Sequence, residues 1–299
     1  MKSTFSKAAA RKITVVMENY PPNCYIDNPP KVISEDKFRN SVLKKIKEKK
    51  QRDFLLSVYQ LNRNAGKYSL AANADKASLE KLKDILFQAG FLNVTGFEVE
   101  ISKSVFASLG IDPVYKVYPW ARCIEMMKTG KSDVILTIFK NSERMKYLCY
   151  PSEFTIVEPN VLFKLKESGI TFDGDLKKLK KYVLGVKSST SYGEKFDRAS
   201  YIRKEEVPFT ESVISLVENK RVSLGVGSVI LLKYLMKQKG ITDKFTLLKP
   251  AVSQENLYMA FSKAGKQKQL SEEFSEKLSK FKKTGKYKKI LKKYGVVNS

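Results

Sequence analysis

Residues 94–139, VTGFEVEISKSVFASLGIDPVYKVYPWARCIEMMKTGKSDVILTIF, decide the fold. Their first part, 94–110, reads as a turn and then an amphipathic helix. The helix stops at Gly110, because glycine accepts the left-handed backbone that closes a helix. Residues 114–117 read as a strand. Pro119-Trp120-Ala121-Arg122 opens a second helix that ends at Gly130, and residues 133–139 form another, nearly all-apolar strand. Alternating strands and helices of this kind predict a mostly parallel sheet covered on both faces.

The same rhythm extends outward. Residues 13–17 (ITVVM) read as a buried strand that stops at Glu18-Asn19-Tyr20-Pro21-Pro22, since proline cannot continue a ladder. Residues 182–186 (YVLGV) restart the pattern. A loop, Ser188-Ser189-Thr190-Ser191-Tyr192-Gly193, and a helix beginning near Glu194 follow. Then come a short strand at 206–207, a helix at 210–219, a strand at 222–226 and a helix at 229–238. A strand at 257–261 and a lysine-rich helical segment at 269–294, broken at Thr284-Gly285, close the chain. One region stands outside this rhythm. Residues 29–92 carry a very basic helix over 36–52 (with KKIKEKK), strand-like runs at 54–61 and 68–72, and a turn at Asn64-Ala65-Gly66. A helix from Ala74 or Asp75 to Gln88, closed by Gly90, comes last. This reads as a small, self-contained α/β insert.

Composition narrows the function classes. At 299 residues with 42% hydrophobic content, the chain has enough apolar material for two lobes of ordinary domain size. No apolar run approaches the ~18 residues of a membrane span. The formal charge of +25 is spread from Lys12 to Lys293 at helical spacing, the pattern of solvated helix faces. Nucleic acid is not an expected partner, because no zinc-finger spacing or RNA-recognition signature accompanies the charge. The three cysteines, Cys24, Cys123 and Cys149, rule out a disulfide scaffold and a four-cysteine zinc site, and leave room for one disulfide. The absence of histidine excludes His-dependent triads and most catalytic zinc sites. No metal or cofactor is expected. The first dozen residues, MKSTFSKAAARK, have a basic start but no apolar middle, so they are not an intact secretory signal. Either a signal has been removed or the protein stays inside.

Without the insert, the chain runs ITVVMENYPPNCYID, VTGFEVEISKSVFASLGI, then VYKVYPWARCIEMMKTGKSDVILTIFKNSERMKYLCYPSEFT. LGVKSSTSYGEKFD, ENKRVSLGVGS and KFKKTGKYKKILKKYG follow in order. This succession resembles the bacterial extracellular solute-binding proteins of family 3, the polar amino-acid ABC-transporter type. The resemblance implies a type II periplasmic-binding-protein-like α/β fold, in which two lobes are joined by two hinge strands, here with the small α/β insert added. It places residues 1–28, 93–160 and 252–299 in lobe one, 161–251 in lobe two and 29–92 in the insert. It further implies a monomer outside the cytoplasm that holds a small carboxylate-bearing ligand between its lobes and delivers it to a membrane ABC permease.

Candidate ligand residues follow. Arg144 falls where the family places the arginine that clamps a ligand carboxylate, and a guanidinium fork suits that task because it pairs through two parallel bonds. Thr137, near the end of a strand, matches a family hydroxyl. Tyr20 and Trp120 match positions of ligand-sandwiching aromatics. Ser189, Thr190 and Ser191 precede a helix, whose free N–H groups suit an anion, although helix capping needs the same residue types. Ser228 aligns with an acidic residue that holds the ligand's ammonium in many relatives, and Ser223 and Phe139 are further departures. The carboxylate clamp is therefore expected and the ammonium clamp is not. Two other readings stay open. The basic insert suits an acidic protein, nucleic acid or anionic lipid as a docking module. The scaffold also hosts dehydratases, but Glu18 is the only carboxylate expected in the cleft and no histidine is present, so catalysis is not expected.

Overall fold

The computed structural model describes residues 11–188 and 190–296. The described residues open with β1 (Arg11–Met17), in which Val15, Val16 and Met17 are all fully buried. Consecutive rather than alternate burial marks a strand covered on both faces.

Residues 25–95 form a unit of their own. It comprises β2 (Tyr25–Ile26), β3 (Val32–Ser34), a π-helical segment at Lys37–Leu43, α1 (Lys49–Val58), β4 (Tyr59–Asn62), β5 (Lys67–Leu70), α2 (Lys76–Gln88) and β6 (Val94–Thr95). β5 pairs antiparallel with β3 and β4, and β2 pairs antiparallel with β6. Its core centres on Phe38, which stacks on Tyr68 with ring centroids 4.1 Å apart and lies 5.3 Å from Tyr59. Two sequence expectations are corrected here. The helix expected over 36–52 is interrupted at residues 46–48. There the Arg52 guanidinium donates to the carbonyls of Ile46 (2.7 Å) and Lys47 (2.8 Å). The run at 54–61, expected as a strand, is helical as far as Val58. Leu55 and Val58, three residues apart, share the buried helix face while Leu56 is exposed.

The remaining elements build the two lobes. In the first, α3 (Phe97–Ser108), β7 (Ile111–Val117), α4 (Trp120–Lys128), β8 (Val134–Phe139), α5 (Ser142–Met145) and β9 (Leu148–Cys149) follow one another. β7 and β8 flank β1 in parallel. After β10 (Ile156–Leu165), the second lobe adds β11 (Val183–Lys187), α6 (Glu194–Asp197), β12 (Arg203–Val207), α7 (Thr210–Glu218), β13 (Leu224–Ser228), α8 (Val229–Gln238) and β14 (Phe245–Leu247). β11 pairs in parallel with both β12 and β13. β15 (Ser253–Ser262) returns the chain to the first lobe, where α9 (Lys268–Lys282) and α10 (Gly285–Lys293) pack against α3.

β10 and β15 are the two hinge strands. Residues 156–160 pair antiparallel with residues 253–257. Beyond that shared stretch, β10 runs on beside β13 and β15 runs on beside β8. A continuous sheet results, in the order β12-β11-β13-β10-β15-β8-β1-β7. β10 was not foreseen as a strand, because Glu158-Pro159-Asn160 interrupts its apolar run. Proline is tolerated there: Pro159 is paired only with Gln254 of β15, and pairing to β13 begins one residue later, at Asn160. Past that point the strand alternates cleanly. Val161 and Phe163 pack with Val213, Ile214 and Leu232, whereas Leu162 packs on the opposite face with Leu184 and Leu224. Gly225 of β13 makes room for Phe163, since a Cβ at that position would lie 2.3 Å from the phenyl ring.

All three cysteines are free thiols, with Cys24 and Cys123 buried. Among the described residues, no helix is long and apolar enough to cross a membrane.

Candidate functional site

The carboxyl ends of β1, β8, β11 and β12 converge on a cleft that encloses a cavity of about 230 Å³. Ligands of open α/β sheets bind at such strand ends, where backbone groups are left unpaired by the sheet. One wall carries Glu18 and Tyr20 from the segment after β1, Trp120 from the start of α4, Thr137 and Phe139 from β8, and Arg144 from α5. The other carries Glu158 from β10, Lys187 from β11, and Ser188, Thr190 and Ser191 from the loop that follows.

Six residues singled out in the sequence thus line one cavity: Tyr20, Trp120, Thr137, Arg144, Thr190 and Ser191. Ser228 does not line it; it is buried behind the wall. Ser189 lies outside the described residues.

Arg144 is positioned by its own turn. Asn141 caps α5 by accepting the Arg144 N–H at 2.8 Å. Arg144 Nη1 donates to the Phe139 carbonyl at 2.9 Å, and the guanidinium sits 5.5 Å from the centre of the Trp120 ring. A carbonyl and an aromatic face hold a cation without neutralising it. Among the described residues, no carboxylate pairs with Arg144.

Thr137 occupies a left-handed backbone conformation, φ 60°, unusual for a β-branched residue. Glu98, at the start of α3, holds it there. Glu98 Oε2 accepts from the Thr137 N–H at 2.8 Å and from the Thr137 hydroxyl at 3.0 Å. Oε1 of Glu98 contacts the Thr155 hydroxyl, which also lies 2.8 Å from the Leu257 carbonyl. A hydroxyl has a single hydrogen, and a carbonyl cannot donate. Both contacts of Thr155 are hydrogen bonds only when Glu98 carries the proton. Burial points the same way, raising the Glu98 carboxyl to about 7 against the donors that oppose it.

Part of the hydroxyl loop is already engaged within its own lobe. α6 has only four residues, and the Asp197 carboxylate of that helix takes two of the loop's donors. Ser191 Oγ donates to Asp197 Oδ2 at 2.5 Å, and the Tyr192 N–H to Oδ1 at 2.9 Å. Ser191 therefore turns only acceptor capacity to the cleft, while the exposed Thr190 has just a long contact, 3.4 Å, to the Ser188 carbonyl.

Two charged residues of the cleft were absent from the sequence-derived set. Lys187 Nζ reaches across to Glu18 Oε2 at 3.3 Å, joining the two walls, and lies 5.9 Å from the centre of the Tyr20 ring. Glu158 corrects the expectation that Glu18 is the only cleft carboxylate. It is 1% exposed, and the Ser228 hydroxyl donates to its Oε1. Ser228 simultaneously caps α8, accepting the Leu231 N–H at 3.3 Å. Burial raises the Glu158 carboxyl to about 7, with the Ser228 bond opposing. The Tyr20 phenol is pushed up by desolvation first and by Glu158 second, so it stays a neutral donor. Only the antiparallel register of β10, read with its pairing to β13, turns Glu158 inward, and no local sequence signal reports that.

Two α/β lobes on paired hinge strands, with a cleft at the strand ends, define the type II periplasmic-binding-protein-like class. The sequence profile of the bacterial extracellular solute-binding proteins, family 3, matches residues 85–297, and the chain belongs to that family. Solved structures of the same fold include a histidine kinase sensor domain with similarity to periplasmic binding proteins, with TM-score 0.66 and 15% identity over 97% of this chain and 99% of that one. The substrate-binding protein of an amino-acid ABC transporter aligns with TM-score 0.60 and 14% identity, covering 95% and 98% of the two chains. An ABC uptake transporter substrate-binding protein from Streptococcus pneumoniae, with bound histidine, aligns with TM-score 0.62 and 14% identity, covering 96% and 93%. A search of curated protein sequences finds no match.

Proposed function

We propose that this protein captures a small carboxylate-bearing solute, an amino acid or related acid, in the cleft and passes it to a membrane ABC permease. In this reading it acts as a monomer outside the cytoplasm, without cofactor or metal, and turns nothing over. The observation that supports it best is Arg144: a guanidinium held in the cleft by a carbonyl and an indole, with no carboxylate among the described residues paired to it. A ligand carboxylate completes it through a charge-assisted pair. Tyr20 and Trp120 would cover the ligand's apolar part, with Thr137, Ser191 and Thr190 as polar contacts. Ser189 is proposed with them, from sequence alone, and Ser228 acts from behind the wall. The lobe division at 160/161 and 251/252 puts the hinge at the Asn160–Ser253 pairing, where β10 and β15 part.

The test is calorimetry on wild type and Arg144→Ala, after a thermal-shift screen of amino acids and small carboxylates. Ligand stabilises by mass action. Loss of the guanidinium should weaken binding at least tenfold, since it leaves a carboxylate buried and unpaired. Equal affinity in the two proteins removes Arg144 from the site.

The likeness to a histidine kinase sensor domain favours a second reading, in which the same clamp reports a solute instead of delivering it. Loss of ligand uptake from cells lacking the protein supports delivery; undiminished uptake supports reporting.

A further inference from the structure

Glu98 does not line the cleft, yet it holds residues that shape it. Through the Thr137 N–H and hydroxyl it fixes a cleft residue whose backbone, φ 60°, is strained for a β-branched side chain. Through the Thr155 hydroxyl it meets the residue that precedes hinge strand β10. Thr155 in turn is tied to the other hinge strand, since its N–H donates to the Leu257 carbonyl of β15 at 2.8 Å and its hydroxyl lies 2.8 Å from the same atom. Leu257 itself lines the cleft. A fully buried carboxyl thus stands between the wall of the first lobe and both hinge strands.

The hydrogens around it are accounted for. Thr137 gives two to Oε2 and Thr155 gives one to the Leu257 carbonyl, so Oε1 meets Thr155 with a proton of its own. Loss of that proton turns the Thr155 hydroxyl from the hinge carbonyl to Oε1. It also leaves a carboxylate 3.0 Å behind the Thr137 hydroxyl.

We propose that Glu98 is a positioning residue whose proton is coupled to solute binding, so that the protein takes up a proton at Glu98 when a carboxylate-bearing solute enters the cleft and holds that solute more weakly as Glu98 ionises. This rests on the reading of the cleft as a solute site. The solute's carboxylate is answered by Arg144, which is anchored to the Phe139 carbonyl two residues along β8 from Thr137. A second negative charge behind Thr137, in a site closed to water, opposes it. Linkage is reciprocal, so the bound anion tightens the hold of Glu98 on its proton.

The surroundings supply no cation that would cancel this. β10 contributes Glu158, a like charge that raises Glu98 further. The segment after β1 contributes the Cys24 thiol, 3.3 Å from Thr137 Oγ1. α10 contributes Tyr287, which donates to the Thr155 carbonyl at 2.7 Å, and β7 contributes Tyr115, bonded to Ser102 at 2.6 Å. On α3 itself, Glu100 is taken by Lys293 and Tyr294, and Lys103 lies over the Tyr115 ring. Asp133, just before β8, is occupied by Gln267 and the Thr14 N–H, and Lys282 of α9 by Glu153. Glu272, Glu273 and Glu276 of α9 are exposed.

The experiment follows Kd by calorimetry at pH 6, 7 and 8 in wild type and Glu98→Gln. The probe is the tightest binder among the common L-amino acids other than histidine and cysteine, whose side chains titrate near this range. A bound anion that tightens the proton about tenfold makes the wild-type Kd rise about fivefold from pH 6 to pH 8. Glu98→Gln should reduce that rise to within about twofold; the ratio between the two pH values, and not the affinity itself, is the readout. The Thr137 amide proton, followed by NMR in wild type, reports the charge on Glu98 without any variant. Its midpoint, about 7 without solute, should move up when the probe saturates the cleft. An equal rise in Kd in both proteins, or a midpoint that the probe leaves in place, overturns the coupling and leaves the solute site standing. Binding of no probe at millimolar concentration overturns both.

Discussion

Glu98→Gln should stabilise this protein above neutral pH and leave it unchanged in acid. Glu98 is fully buried, and its carboxyl rises from 4.5 to about 7 on folding. A folded value above the unfolded one means that the native state holds the proton more tightly. The stabilisation is complete below about 4.5 and is lost as pH climbs through about 7. A shift of this size corresponds to about 3 kcal/mol, most of which disappears between pH 5 and pH 8. Glutamine reproduces the protonated acid. Its carbonyl can accept from the Thr137 N–H and hydroxyl, and its amide can donate to Thr155 Oγ1. The variant should therefore match wild type at pH 5 and exceed it by ~2 kcal/mol at pH 8, a Tm difference of about 4 °C for a chain of this size. Denaturant melts from pH 5 to pH 8 on both proteins measure this. The readout is the difference between them, because every other titrating group is common to both. A variant less stable than wild type at pH 8, or a difference that does not change with pH, refutes the proton assignment at Glu98.

Other outcomes follow from the same geometry. Gly96→Ala should destabilise by more than ~3 kcal/mol: Gly96 has φ 119°, and a Cβ there would lie 2.2 Å from the Asn23 carbonyl oxygen, as a denaturant melt will register. Lys187→Ala removes the pair that joins the cleft walls. The pair is partly exposed, so stability should fall by less than ~1 kcal/mol, while the ligand-free protein should show a larger radius of gyration by small-angle scattering. An unchanged radius would mean that the pair does not hold the walls together. Trp120, the sole tryptophan, carries the Arg144 guanidinium over its ring, so its fluorescence should change when a carboxylate binds. No change with a confirmed ligand would place the indole outside the contact.

What the sequence determined by itself was local. The run from α3 to β8 is legible because a helix and a strand impose different apolar periods on neighbouring residues, and α8 occurs at the predicted residues, 229–238. Gathering Tyr20, Trp120, Thr137 and Arg144 in one cleft needed the order of the motifs as well, since each of these residue types also serves in ordinary cores and surfaces. Only the tertiary structure decided the rest. It made a hinge strand of a run containing Glu158 and Pro159, because β13 and β15 satisfy it from either side. It kept residues 54–58 helical, because Leu55 and Val58 have a core to enter. It gave Asp197 the Ser191 hydroxyl and the Tyr192 N–H, set Lys187 against Glu18 and left Arg144 and Glu158 without an ion-pair partner among the described residues. Periodicity is written by residues three or four apart along the chain. The charge pair that joins the cleft walls is settled by residues far apart in the chain, as Glu18 and Lys187 are at a separation of 169.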